Sequence, residues 1–128
     1  MNKKKFKIGD RLMSFKFAFN GIRIMFANEH NAWIHSAAAL LVIIAGIILK
    51  ISPTEWVAVS IAAGLVFTAE AINTSIEKLS DFVSPEKQIS IKEVKDLASA
   101  GVLISAITAL IIGLIVFVPK IISLITTK

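Results

Sequence analysis

The sequence predicts an all-α membrane protein of one domain, residues 1–128, on three observations. Hydrophobic residues make up 55% of the 128 positions and charged residues 18%, against roughly 45–50% and about 25% in soluble domains. Three long apolar runs could each cross a hydrocarbon core of ~30 Å as a helix. Six glycines and three prolines are few for a turn-rich β fold, and the absence of cysteine excludes disulfides and thiol chemistry.

The N-terminal arm carries apolar residues at spacings of three and four, which predicts an amphipathic helix over about 8–28. The apolar stripe consists of Leu12, Phe15, Phe19, Ile22 and Phe26. Arg11 and Arg23 fall at its polar margins. We interpret this segment as a helix on the inner membrane surface. Packing of the same helix on the bundle is a compatible alternative.

The first apolar run, residues 32–49, contains no Lys, Arg, Asp or Glu and predicts a span over about 31–50. His35 is its only strongly polar residue, and we expect this side chain to contact the backbone or a lipid headgroup. Pro53 is expected to end this helix, and Thr54 to cap the next one.

The second and third apolar runs predict spans over about 55–80 and 97–119, with Pro119 closing the third. The charged segment between these runs is broken by Ser84-Pro85. We expect it to contain the end of one helix, a loop and the start of the next.

Lys and Arg side chains are distributed unevenly among the segments that flank the spans. Seven lie before residue 24 and four in residues 77–100, whereas three lie on the other side. The positive-inside rule therefore predicts a cytoplasmic N-terminus and middle loop. Because apolar spans follow the basic arm, we expect it to meet an anionic membrane surface and not nucleic acid. No signal peptide is expected, since the first long apolar run begins far from the N-terminus.

Four polar residues fall on one face of the predicted second span, namely Glu70, Asn73, Glu77 and Asp81. Glu70 lies within the apolar run, where an ionisable group costs ~2.5–3.5 kcal/mol or more. Three structural explanations apply: a protonated core residue, a pair with a buried cation, or a side chain that reaches the interface. No Lys or Arg lies inside the spans. A carboxyl group in such a site also suits a general base for a weakly acidic hydroxyl, and we favour that interpretation.

Two further carboxylates are expected at the cytosolic membrane boundary. Glu77 lies about 10 Å from Glu70 by helix rise, closer to water. Glu29 directly precedes the first span and should lie at the same depth. Two such carboxylates could bind Mg²⁺, whose shell is then completed by water and substrate phosphates. Lys95 precedes the third span, where it could neutralise phosphate charge; a solvated helix start or a positive-inside anchor is the alternative.

The run Glu70-Ala-Ile-Asn73-Thr-Ser-Ile-Glu77-x-x-x-Asp81 resembles the signature of the small bacterial integral-membrane lipid kinases, the diacylglycerol kinase/undecaprenol kinase family. Asn28-Glu29 and Lys95-Asp96-Leu-Ala-Ser99 match that family at the first and third spans. The resemblance covers nearly the whole chain. It implies a homotrimer of three-span subunits with a surface helix, located in the bacterial inner membrane. It also implies ATP-dependent phosphorylation of a lipid hydroxyl at the cytosolic interface.

The resemblance also assigns roles to individual residues. It implies that Glu70 is the catalytic base and that Glu29 and Glu77 bind Mg²⁺. The nucleotide contacts that it implies are Glu29, Glu77, Glu86, Lys87, Gln88, Lys95 and Asp96. The supporting residues that it implies are Arg11, Phe15, Asn73, Asp81 and Ser99. The sequence departs from the family at Lys87-Gln88, where a Tyr-His or similar pair is common.

The lipid substrate and the rival functions complete these expectations. The stretches 31–38 and 115–120 look more like the undecaprenol-type branch of the family than the diacylglycerol-type branch.

One rival to the lipid kinase function is a subunit of a small proton- or ion-coupled transporter that uses the intramembrane Glu70. Another is a non-enzymatic assembly factor. The predicted position of four carboxylates at the cytosolic boundary, Glu29, Glu77, Asp81 and Asp96, favours surface chemistry over transport. An assembly factor gives no reason for Glu70 and Asn73 to share a helix face with Glu77.

Overall fold

The computed structural model describes residues 8–86 and 88–126, which form four α-helices. These helices are α1 (Ile8–Asn28), α2 (His30–Ile48), α3 (Pro53–Val83) and α4 (Ile89–Thr126). The last three are long and apolar enough to cross a membrane. The prediction of an all-α chain with three such helices is therefore confirmed.

The start of α3 is fixed by a capping box and not by Thr54. The Ser52 hydroxyl accepts a hydrogen bond from the Glu55 N–H (3.2 Å), and the Glu55 carboxylate accepts one from the Ser52 N–H (2.6 Å). Pro53 occupies the first helical position, where its missing N–H costs nothing. The expectation that Pro53 ends the preceding helix and Thr54 caps α3 is wrong, because proline is well suited to a helix start.

The end of α2 is closed by a left-handed residue, Lys50, with a φ of 50°. The Ile51 N–H donates to the Gly46 carbonyl (3.0 Å) and the Lys50 N–H to the Ile47 carbonyl (3.3 Å). This is the Schellman arrangement, which satisfies carbonyl groups that a helix end leaves without partners. The chain can therefore reverse direction within residues 49–52, and α2 and α3 lie antiparallel.

The apolar core lies near this turn, between α3 and α4. Its buried members are Ile51, Val59 and Val116, and Trp56 and Phe117 pack against them. An ion pair between Lys120 of α4 and Glu55 of α3 (3.0 Å) lies at the same end of the bundle. The end of the molecule that holds the turn is thus tied by both apolar and polar contacts.

Both α3 and α4 extend beyond the expected spans of 55–80 and 97–119. At 1.5 Å per residue the 31 residues of α3 measure about 46 Å, longer than a hydrocarbon core of ~30 Å. The apolar runs therefore predict only the part of each helix that lipid would surround. Pro119 does not end α4, which continues to Thr126. Membrane helices tolerate an internal proline when neighbouring groups satisfy the freed carbonyl.

The helix α1 is joined to the bundle at its C-terminal end. Met25 is buried, and the Trp33 indole N–H donates to the Phe26 carbonyl (3.0 Å). The rings of Phe26 and Trp33 meet edge to face, with centroids 5.2 Å apart. Most of α1 is exposed, including Phe15 and also Phe17, which lies off the expected stripe. An amphipathic position on a membrane surface stays a prediction.

Replacing Gly46 by alanine is expected to destabilise the turn end of the bundle. An added Cβ would lie 2.7 and 2.9 Å from two ring carbons of Trp56 and 3.0 Å from Cδ1 of Ile51. Overpacking of this kind costs ~1–3 kcal/mol. Gly64→Ala is the matched control, because nothing lies within 4 Å of its added Cβ. Both variants replace a helical glycine by alanine, so both gain the same helix propensity. The thermal midpoint in detergent should fall for Gly46→Ala relative to Gly64→Ala; equal midpoints would contradict this prediction.

Candidate active site

The carboxyl group of Glu70 lies fully buried inside the helix bundle, with no solvent exposure. Its Oε1 lies 3.1 Å from Nε2 of His35 on α2. Its Oε2 has no hydrogen-bond partner among the described residues. The main-chain carbonyl of Glu70 accepts a hydrogen bond from the Thr74 hydroxyl (2.9 Å). One oxygen of the buried carboxyl group is therefore held, and the other is available to a donor.

A second buried acceptor lies one turn along α3. Asn73 is 6% exposed, and its Oδ1 also has no partner among the described residues. A buried polar atom without a partner costs about 1–3 kcal/mol. Two such acceptors on one helix face indicate a place where a molecule that carries a hydrogen-bond donor would be stabilised. A hydroxyl group is a donor of this kind.

Glu29 lies in the link between α1 and α2, close to the carboxylates of α3. Burial raises the pKa of the Glu29 carboxyl group above its ordinary value, and the negative charges of Glu77 and Glu70 raise this pKa further. The Glu29 carboxyl group also interacts with the Thr74 hydroxyl, which acts in the opposite direction. The expected placement of Glu29 beside Glu77 is thus what the structure has, and the two carboxylates repel each other.

The donor set fits a hard cation held by few protein ligands. Within residues 8–86 and 88–126, no group of three or more His, Cys, Asp or Glu side chains could hold a metal ion. Glu29 and Glu77 form a pair of carboxylates whose mutual repulsion a cation would relieve. Mg²⁺ commonly binds through one or two carboxylates and takes its remaining ligands from water and substrate phosphates. The pair therefore suits Mg²⁺ better than a metal that needs a closed protein cage.

Charged groups of α3 and α4 continue from the carboxylates along the same end of the bundle. Lys95 forms an ion pair with Asp81 (2.9 Å) and is also attracted to the carboxylate of Glu77. Asp96 pairs with Lys92 one turn away (2.6 Å). The structure thus brings Lys95 and Asp81, which sequence analysis placed in separate clusters, into direct contact.

The remaining predicted site residues are placed as follows. Exposed side chains are found at Arg11, Phe15, Glu86, Gln88 and Ser99. The main-chain carbonyl of Glu86 accepts a hydrogen bond from the Ser84 hydroxyl (3.2 Å) in the link between α3 and α4. Lys87 lies outside the described residues. The roles of these six residues stay predictions.

An apolar cleft of about 540 Å³ lies between α2, α3 and α4. Small and apolar side chains line it, among them Ala38, Val66, Ala106 and Phe117. His35 also lines this cleft, so one ring contacts both the cleft and the Glu70 carboxyl group. The site therefore adjoins charged groups on one side and a hydrocarbon-like space on the other.

Sequence analysis missed the contact of His35 with Glu70. The expectation that His35 contacts the backbone or a lipid headgroup is wrong, since its Nε2 lies against the carboxyl group. Depth along the helices gave only part of the signal. His35 lies six residues beyond Glu29, and Glu70 seven residues before Glu77, so both lie about 9–11 Å from the paired carboxylates by helix rise. Depth alone does not determine which side of α2 the ring faces. Thr74 was missed as well, and its position one turn from Glu70 gave no separate signal.

The fold and the site together define a class: an all-helical membrane protein with a buried carboxyl group beside a pair of carboxylates. Comparison with known proteins agrees with that class. Residues 16–117 match the family described as prokaryotic diacylglycerol kinase. An undecaprenol kinase of Bacillus subtilis is 36% identical over 107 residues, which are 84% of this chain and 87% of that protein. A diacylglycerol kinase of Synechocystis sp. is 30% identical over 114 residues, which are 88% of this chain and 65% of that protein.

The chain belongs to the prokaryotic diacylglycerol kinase family. The predictions of that family and of a lipid kinase are thereby confirmed.

Proposed function

We propose that this chain transfers the γ-phosphoryl group of ATP to the hydroxyl group of a membrane lipid, in a Mg²⁺-dependent reaction at the cytosolic face of the bacterial inner membrane. One observation carries the proposal. The Glu70 carboxyl group is fully buried, its Oε2 lacks a donor among the described residues, and its partner His35 lines an apolar cleft. A hydroxyl group attached to a hydrocarbon chain meets both needs of such a site.

The residues act in the following way under this proposal. The lipid hydroxyl group donates its hydrogen bond to Oε2 of Glu70, and its hydrocarbon chain remains in apolar surroundings. Glu70 accepts the hydroxyl proton while the oxygen forms a bond to the γ-phosphorus and the bond between that phosphorus and ADP breaks. Asn73 offers a second acceptor beside the reacting group.

The charged groups serve the nucleotide. Glu29 and Glu77 would hold Mg²⁺, which supplies electrostatic stabilisation of the phosphate oxygens when it is bound. Lys95 lies near Glu77, so its ammonium group would meet a phosphate oxygen after leaving Asp81. The predicted contacts of Glu86, Lys87, Gln88 and Asp96 with the nucleotide belong to the same proposal. Positioning and charge neutralisation are the main tasks of an enzyme in phosphoryl transfer.

We infer that undecaprenol is the preferred lipid and diacylglycerol the weaker one. The undecaprenol kinase of Bacillus subtilis shares 36% of 107 aligned residues, against 30% of 114 for the diacylglycerol kinase of Synechocystis sp.. The resemblance of residues 31–38 and 115–120 to the undecaprenol-type branch points the same way.

Three copies of the chain would assemble, the number that the family resemblance implies. A second groove, of about 600 Å³, lies between α1 and α3, and small residues such as Gly21, Ala71 and Ser75 line it. Small residues let helices of neighbouring membrane subunits approach closely.

The N-terminus of each copy would lie in the cytoplasm. The excess of Lys and Arg before residue 24 and in residues 77–100 supports this orientation.

The experiment that tests the function follows labelled phosphate from ATP into lipid. Purified protein in mixed micelles receives γ-labelled ATP and Mg²⁺ with undecaprenol, with diacylglycerol, or with neither. Label is expected in an organic-extractable product, with the higher kcat/KM for undecaprenol. The sample that receives neither lipid sets the background. Absence of label from every lipid extract would contradict the function, and faster labelling of diacylglycerol would contradict only the choice of lipid.

A further inference from the structure

We propose that His35 is the positioning residue of the catalytic base: its Nε2–H donates to Oε1 of Glu70 and thereby presents Oε2 to the lipid hydroxyl group. The proposal rests on the function proposed above, because it needs Glu70 to be the catalytic base. It assigns a task to a residue that neither the run from Glu70 to Asp81 nor the charged cluster includes. The two residues lie on different helices, 35 positions apart in the chain.

The contact is the means by which the structure fixes the Glu70 side chain. Among the described residues, His35 is the hydrogen-bond partner of this carboxyl group, and the second oxygen has none. A carboxyl group with one oxygen held loses rotation about its last torsion, so the free oxygen keeps one direction. Misplacement of a reacting group by ~1 Å can cost about 100-fold in rate.

The surroundings of the ring favour a fixed donor over a proton carrier. His35 has a side-chain exposure of 21% and lines the apolar cleft, whose lining is apolar apart from His35 and Ser60. A ring that passed protons out of the site would need water or a polar group on its far side. The geometry therefore assigns His35 to hold Glu70 and not to relay its proton.

A pair of amide substitutions tests this assignment. Glutamine has as many bonds between Cα and its side-chain nitrogen as histidine has to Nε2, so His35→Gln keeps a donor at that position. His35→Asn has the same polarity, but its donor is one bond short of Oε1. We expect His35→Gln to retain at least about a third of the parental kcat and His35→Asn to lose about 100-fold. The KM for ATP should stay within about twofold in both variants, since the nucleotide groups are untouched.

Controls separate this proposal from simple damage and from the proposed function. Ser36→Ala, on the same helix, removes a hydroxyl group that, among the described residues, bonds the Ala32 carbonyl (2.8 Å) within its own helix, and this variant should keep parental kcat. Thermal midpoints in detergent should agree among the three variants. If the parent protein labels no lipid, the proposed function fails, whatever these variants do. With an active parent, three results would overturn the role of His35: parental kcat in His35→Asn, equal loss in both amide variants, or a loss confined to KM.

Discussion

Replacing Glu70 by glutamine is expected to lower kcat for lipid phosphorylation by ~10²–10⁴-fold, the range over which a general base acts. The amide has nearly the same volume and still fits the buried position, but it cannot accept the proton of the lipid hydroxyl group. ATP binding should persist, because the predicted nucleotide contacts lie two turns away on Glu77 and beyond, towards Lys95. Initial rates of label transfer and a direct titration with ATP measure the two properties separately.

The control for this change is Glu93→Gln, which neutralises an exposed carboxylate of α4 outside the site. It should keep the parental rate. Near-parental kcat in Glu70→Gln would show that the base is another group. Loss of ATP binding together with kcat would instead indicate that the substitution disturbs the whole site, and the assignment of Glu70 as base would then lack its support.

Replacing Glu77 by glutamine is expected to raise the Mg²⁺ concentration for half-maximal activity by at least tenfold. The structure places Glu77 beside Glu29, whose pKa is raised by burial and by the charges of Glu77 and Glu70. Removing one member of this pair takes away half of the protein carboxylates available to the cation, and Mg²⁺ binding by so few ligands depends strongly on each. The measurement is a Mg²⁺ titration of label transfer at fixed ATP.

The same titration on Glu93→Gln should give the parental midpoint. Because excess Mg²⁺ can compensate for a weakened site, the rate of Glu77→Gln should recover in part at high Mg²⁺, which distinguishes it from the rate loss of Glu70→Gln. An unchanged Mg²⁺ midpoint in Glu77→Gln would remove this residue from the metal ligands.

The positions of α2, α3 and α4 could be predicted because long apolar runs indicate helices that could cross a membrane. The proximity of Glu29 and Glu77 followed from depth, since each residue lies at the same predicted boundary of its apolar run. Helix ends were less predictable. The proline at the start of α3 does not reveal whether Ser52 or Thr54 is the N-cap, because serine and threonine can both cap a helix.

Contacts between helices depend on rotation about each helix axis, which hydropathy in these apolar runs does not determine. His35 could face lipid, α4 or α3 without changing the apolar character of α2, so its contact with Glu70 required the packed structure. The pairing of Lys95 with Asp81 likewise depends on how α4 lies along α3 beyond the apolar runs. The hydropathy of the sequence predicts how far along a helix a residue lies, whereas the packing of the helices determines which residues it contacts.

The tight reversal between α2 and α3 has a mechanical consequence. The capping box and the left-handed Lys50 fix the turn between the two helices, and the Glu55–Lys120 pair ties α4 to the same end of the bundle. The groups that would react lie towards the other end. The turn is thus the fixed point from which the far ends of α2 and α3 extend. A tilt of ~5° at the turn would move Glu29, ~30 Å from Leu49 at 1.5 Å per residue, by ~2.6 Å. A small change in the angle between α2 and α3 at the turn would therefore change the distance between Glu29 and Glu77 at the far end.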